Sequence, residues 1–403
     1  MKRVILNVVK HLKSLCGCTQ LLRFAQDDTS FMLRVVWVAL FICLSLSVHA
    51  QTPFRVVFWN VENLFDTKDN PRKNDNEFLP DAHRHWTPFR YNEKQKKIAK
   101  TLIACGDGQL PSLVGLCEVE NDSCLYHLTR RTPLREAGYQ YVVTDSPDQR
   151  GIDVALLYQE SMFRPIARRD IRIPHKQVKR GPTRDILHVA GRVASGDTLD
   201  VFVCHMPSRS GGQAKSEPYR IFTAQVLKQA VDSVMRIRKH PSVVVMGDFN
   251  DYPTDRSIRK VLCADGKLMN LMTHLPDGTY FYRGAWGMLD QFMVSQAMLR
   301  KRARIRTSAE KVSVFRPDFL LEKNARTRRP KPFRTYNGMR YLGGYSDHLP
   351  IVMDLELTRG DRIVIKNGEC PVQLLHENQP NHLVRERHLR ERNLFLSRGI
   401  HLR

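Results

Sequence analysis

The chain has 403 residues, 42% hydrophobic and 26% charged, which excludes wholesale disorder and allows a sizeable buried core. Its 22 Gly and 21 Pro follow no period, which excludes collagen-like sequence. Lys and Arg number 64 against 41 Asp and Glu, a net charge of +23; segment 51–358 alone keeps about +15, so the excess belongs to the body. Nucleic acid and anionic lipid headgroups are the natural partners of such a surface, although charge alone does not separate them from a merely basic, soluble one.

In chain order, the first pattern is a leader. Arg34 precedes an apolar run over residues 35–48, and Val48-His49-Ala50 precedes Gln51. A basic n-region, an apolar h-region and small residues before the cut predict a secretory signal cleaved after Ala50. Met32 stands directly upstream as the expected start. The run is short for a membrane span, and nothing after residue 50 approaches the roughly 18 apolar residues a span needs. Gln51 stands where a lipoprotein has Cys. The expected location is therefore periplasmic or extracellular. Six Cys follow the cut and form no CxxC pair, so neither a zinc site nor a disulfide framework is expected. Cys117 and Cys204 lie in strand-like runs, where Cys is usually a small buried hydrophobe.

The body alternates strands and helices. Phe54–Trp59, Leu113–Cys117, Ile152–Tyr158, Leu199–His205 and Val243–Met246 read as buried strands. Tyr139–Thr144, Ile186–Val193, Leu289–Val294 and Ile351–Leu357 are further strand candidates. Tyr91–Ala104 and Ser216–Ile237 carry apolar residues at steps of three and four and predict helices. No repeat or Pro/Gly-rich linker interrupts this, so 51–358 reads as one α/β domain. Lys323–Arg340 reads as a long surface loop, and 359–403 as a basic tail.

The informative feature is where polar residues fall. Asn60, Glu118, His205, Asp248, Asn250, Asp290 and the pair Asp347-His348 all stand where strands are predicted to end or begin. A lone strand-end Asp is more often a turn residue. Six segments each delivering such a group imply a ligand site at one end of the sheets. Oxygen donors without Cys favour a hard cation, Mg²⁺ or Mn²⁺. Carboxylates for such a metal, with His for proton transfer, suit attack of water on a phosphate ester. Neither GxSxG, a Walker loop nor GxGxxG occurs, which argues against acyl transfer, nucleotide-driven chemistry and dinucleotide binding.

At these residues the sequence resembles the endonuclease/exonuclease/phosphatase superfamily of DNase I-like, metal-dependent phosphodiesterases. The matching pieces are WNVENLFD (Trp59–Asp66), LCEVEN (Leu116–Asn121), RGIDVALLY (Arg150–Tyr158), HMPSRSGG (His205–Gly212), GDFND (Gly247–Asp251), MLDQ (Met288–Gln291) and YSDHLPI (Tyr345–Ile351). The resemblance implies a four-layered α/β sandwich, two mixed sheets face to face with helices outside. It implies Glu118 as main metal ligand, with Asn60 and Asp347 beside it. Asp248 would orient or activate the attacking water, and Asn250 would hold a phosphate oxygen. Asp290 would fix the imidazole of His348, and His205 would donate a proton to the leaving oxygen. Ser208 falls where several nucleases of the family carry Asn. Arg150 and Arg209 are added candidates for phosphate binding. The expectation is an exported Mg²⁺-dependent nuclease of low sequence specificity, monomeric, with nucleic acid as substrate. A sphingomyelinase-like enzyme, an inositol-phosphate phosphatase and a non-catalytic polyanion-binding module are the alternatives.

Overall fold

The computed structural model describes residues 54–174, 176, 181–324 and 328–358, together with Trp37. Apart from Trp37, the expected signal segment lies outside the described residues, as does the basic tail from residue 359.

Nineteen strands are described, and most belong to two sheets. The first half of the chain supplies β1 (Phe54–Leu64), β2 (Leu113–Val119), β3 (Gln140–Val143), β4 (Asp153–Tyr158), β5 (Phe163–Ile171) and β6 (Ile186–Val193). Next come β7 (Thr198–His205), β8 (Val243–Asp248), β9 (Leu268–Asn270), β10 (Tyr280–Tyr282), β11 (Ala285–Gly287) and β12 (Asp290–Ser295). The last are β13 (Ile305–Arg306), β14 (Val312–Val314), β15 (Leu321–Lys323), β16 (Pro330–Pro332), β17 (Tyr336–Asn337), β18 (Arg340–Tyr341) and β19 (Ile351–Leu357). One sheet runs β13-β19-β1-β2-β4-β3, with β14 also on β19; the other runs β5-β6-β7-β8-β12-β9. Helices α1 (Pro88–Cys105), α2 (Asp122–Arg130) and α3 (Gln213–Ile237) complete the frame.

Alternation along each strand sends successive side chains to opposite faces, and this builds three apolar layers. Val57, Trp59, Val114 and Leu116 pack outward against Ile98 and Leu102 of α1 and Leu125 and Leu128 of α2. Phe54, Val56, Phe58, Val154 and Leu156 point inward against Leu187, Val201, Val203, Val244, Met246 and Phe292 of the second sheet. Phe202, Cys204, Val243 and Val245 face Leu227, Val231 and Val234 of α3. Helix, sheet, sheet, helix is the four-layered arrangement that the resemblance implied. The sheets approach closely: a side chain on Gly115 would begin 2.7 Å from Met246 Cε.

Nine expected strands form, and β6 and β19 keep the expected bounds. Three differences have physical reasons. First, β1 and β2 do not stop at Trp59 and Cys117. Each continues through a bulge, with the pairing register shifting between Asn60 and Leu64 and between Cys117 and Val119. Second, β5 and α2 were not expected. β5 is an edge strand whose residues 166–170 are exposed or half-exposed and include Arg168, Arg169 and Asp170, so it lacks the apolar alternation that marks a strand. α2 has nine residues and is set by its cap, in which Asn121 Oδ1 accepts from Cys124 N at 3.0 Å. Third, the stretch read as a surface loop from Lys323 holds strand residues from β15 through β18, and Thr335 and Tyr336 are buried. All five described cysteines are free, and Cys117 and Cys204 are buried as expected.

Candidate active site

Register assembles one half of the site. β7 pairs parallel with β8 so that His205 stands opposite Asp248, and β12 pairs antiparallel with β8 so that Asp290 stands on its other side. Three adjacent strands therefore present His205, Asp248 and Asp290 in one row. The first sheet supplies the other half at its bulges. Glu118 sits in the bulge of β2 with φ of 63°, and Glu62 and Asn63 follow Asn60 in β1 with φ of 52° and 55°. Non-glycine residues rarely adopt this region, and such strain gathers at functional sites. The bulge of β2 leaves Glu118 out of the ladder, while Asn60, the last paired residue before the bulge of β1, reaches Asp248 of the second sheet.

Hydrogen bonds tie the halves together. Asn60 Nδ2 donates to Asp248 Oδ2 at 3.1 Å. The Nδ1 of His348 lies 2.7 Å from Asp290 Oδ2. The indole of Trp59 donates to the His348 carbonyl at 2.9 Å, and Ser346 Oγ accepts from His348 N while donating to the Asn60 carbonyl. The Nε2 atoms of His205 and His348 stand 3.6 and 3.8 Å from Asp248 Oδ2, too far for hydrogen bonds but close enough to feel its charge.

These surroundings set the protonation states. Burial raises Glu118, but Arg150, His348 and the Asn63 N–H outweigh it and hold the carboxyl at about 2. Its Oε2 accepts from Arg150 at 3.0 Å and from Asn63 N at 2.9 Å. Burial pushes Asp248 up to about 7; the His348 charge opposes this and Asp290 adds to it. His348 is itself pushed well above the usual histidine value, because Asp290 and Asp248 outweigh its burial. Burial and the Arg184 guanidinium hold His205 well below that value, so it is neutral. The set therefore offers an imidazolium, a neutral imidazole, a fixed carboxylate and a carboxyl that titrates near neutrality.

The donor chemistry fits a hard divalent cation. Glu118 is ionised although buried, Asp290 Oδ1 is buried without a hydrogen-bond partner, and the carboxylates of Asp248 and Asp290 bring oxygen atoms within 4.8 Å of one another. A buried carboxylate oxygen without a donor is what a cation satisfies.

The family model described as endonuclease/exonuclease/phosphatase family matches residues 55–357. The chain belongs to that family. Among solved structures, D. rerio TDP2 humanized by 14 mutations superposes with a TM-score of 0.50 at 15% identity, covering 75% of this chain and 99% of that one. An endonuclease/exonuclease/phosphatase family protein from Bacteroides thetaiotaomicron gives 0.49 at 16% identity, covering 75% and 95%. The human Nocturnin catalytic domain with bound sulfate gives 0.47 at 18% identity, covering 76% and 94%. Likeness at these identities is one of fold. No curated protein matches the sequence.

Not every residue read from the sequence is brought to the row. Asp347 lies one residue from His348 but pairs with Arg334 Nη2 at 3.1 Å. The Asn250 amide donates to the Met206 carbonyl at 3.1 Å, and its N–H donates to Asp248 Oδ1 at 2.9 Å, so it supports Asp248. Arg209 is turned away from phosphate duty. Its guanidinium bonds Asp255 at 2.7 Å and the Asn250 carbonyl at 2.7 Å and lies over Tyr252, which makes it a brace for the loop after β8. Ser208 is exposed on the loop after β7. Arg150 does reach the site, on Glu118.

Sequence reasoning missed Arg184, Arg334 and the role of Glu62. Arg184 joins Asp148 Oδ2 at 3.2 Å to the Met206 carbonyl at 2.6 Å, bridging two loops beside His205. Glu62 accepts from the Thr335 and Tyr336 N–H groups and faces Arg334, while buried Lys94 donates to Thr335 Oγ1 and the Tyr345 carbonyl at 2.6 Å each. This clamp holds the segment before Ser346. An Arg in a loop carries no periodicity that would have revealed it.

The raised Asp248 gives a stability prediction. A folded carboxyl titrating near 7 against about 4 unfolded binds more protons in the native state between those values. Asp248's contribution to native stability should therefore fall as pH rises from about 4 to 7 in metal-free buffer. Asp248→Asn should lose that part of the fall, and near neutral pH it should melt higher than the wild type while being inactive. Urea melts in EDTA at both ends of the window check this; a variant as pH-sensitive as the wild type contradicts the buried-carboxyl assignment.

Proposed function

We propose that the chain is an exported, divalent-metal-dependent phosphodiesterase acting on nucleic acid with little sequence specificity. The observation that carries the chemistry is the joining of the two sheets at one pole, where Asp290 orients His348, Asp248 stands between two imidazoles, and Glu118 stays ionised. Glu118, with Asn60 beside it, would hold the cation, which when bound supplies Lewis-acid polarisation of a phosphoryl oxygen. Asp248, titrating near neutrality, takes the proton of the attacking water. His348, charged and held by Asp290, faces the developing negative charge on phosphorus oxygens. Neutral His205 still has one N–H to offer the leaving oxygen.

The body's charge supports a long polyanion over a small ester. The leader over residues 1–50 supports export. Incubation with plasmid, RNA, sphingomyelin and inositol phosphates in Mg²⁺ tests the substrate. Plasmid or RNA should be cut, and oligonucleotide affinity should fall steeply with salt. Turnover of sphingomyelin or inositol phosphates alone, with salt-independent oligonucleotide binding, would move the assignment to the small-substrate branch.

A further inference from the structure

The pole opposite the active site carries a feature the proposed chemistry does not use. β7 and β8 run toward His205 and Asp248, so their first residues lie at the far end of the second sheet. Eight residues of β7 separate the two poles by roughly 25 Å. At the far end, two adjoining recesses of about 430 and 420 Å³ share Lys239, His240, Pro241, Ala297 and Arg300 as walls. Thr198, the first residue of β7, and Ser295, at the end of β12, fix their position.

Charge in this groove is unbalanced. Its carboxylates already have partners: Asp197 pairs with Arg304 at 3.1 Å, and Asp232 with Lys228 at 2.6 Å. Arg238 is held by Asp200 through two bonds of 2.8 and 3.1 Å. Lys239, Arg300 and Arg302 line the groove, are exposed, and have no carboxylate partner among the described residues. The end of α3 accounts for Lys239, since a helix C-terminus attracts cations. It does not account for Arg300 and Arg302, which arrive from the segment after β12. Converging cations without counter-charges repel one another unless an anion neutralises them.

We propose that this groove is a second, non-cleaving site for the phosphodiester backbone of a polynucleotide, gripping the strand away from the bond being cut. It rests on the nuclease reading. Guanidinium groups bind phosphate bidentately. Two joined recesses offer a linear track for successive phosphates, where a flat membrane surface would meet only the rim. The groove thus adds affinity for long substrates and does nothing for a small diester.

The test compares the wild type with Arg300→Glu/Arg302→Glu and with the milder Arg300→Gln/Arg302→Gln, using the full chain. Binding of a fluorescent single-stranded oligonucleotide is measured in EDTA across a salt series, and bis(p-nitrophenyl) phosphate hydrolysis is measured in Mg²⁺. Losing two phosphate contacts should flatten the slope of log affinity against log salt by about 1.5. Small-diester turnover should stay unchanged in both variants. Wild-type affinity and slope in both variants overturn the proposal, as does loss of heparin binding with oligonucleotide binding intact. The nuclease reading fails separately, if the wild type leaves plasmid and RNA uncut.

Discussion

Replacing His348 with alanine is expected to lower turnover by ~10²–10⁴-fold, and added Mg²⁺ is not expected to restore it. The imidazole is buried, held by Asp290 at 2.7 Å and fixed through its backbone by Trp59 and Ser346. Such a group is set in one orientation, and its partner carboxylate stabilises its charged form. Asp290→Asn should therefore reproduce a milder version of the same loss, because the ring keeps its place but loses its charge partner. Turnover of both variants on one substrate, across a Mg²⁺ titration, decides the matter. Rescue of His348→Ala by metal, or normal activity of Asp290→Asn, would make the pair structural.

Glu118→Gln should fail differently. The substitution keeps the shape of the side chain but removes the charge held at about 2 by Arg150 and its other neighbours. Metal affinity should drop by at least 10–100-fold, the range seen when even outer partners of a metal site are changed, so activity should be lost at low Mg²⁺ and partly recovered at high Mg²⁺. The Arg150 guanidinium, left without its carboxylate, should then bind anions more readily, so inorganic phosphate should inhibit the variant more strongly than the wild type. An unchanged Mg²⁺ dependence in Glu118→Gln would remove Glu118 from the metal site.

Much of this pole is legible in the sequence because hydrophobic runs stop at polar residues. FRVVFW before Asn60, LVGLC before Glu118 and VVVMG before Asp248 are buried on both faces, and a polar residue after such a run has few places to go. Periodicity shows the run and not its interruption, so the bulges at Asn60 and Glu118 were invisible. They depend on positive φ at Glu62, Asn63 and Glu118; Glu gives no signal for it, and a single Asn gives a weak one. The surroundings of Arg209 are hidden from the sequence for a related reason. A sequence shows a cation after a predicted strand end, but only the folded chain shows Asp255 and the Asn250 carbonyl already taking its donors. Glu62 anchors the Thr335 and Tyr336 amides 273 and 274 residues away, a pairing no local pattern contains.

The central claim is that water attacks a phosphodiester at this pole with the help of a divalent cation. The most direct measurement is hydrolysis of plasmid DNA and bis(p-nitrophenyl) phosphate by the purified protein before chelation, after exhaustive chelation, and after Mg²⁺ or Mn²⁺ is returned. The account predicts hydrolysis that stops on chelation and resumes with either metal. Full activity after the metal has been removed would contradict it.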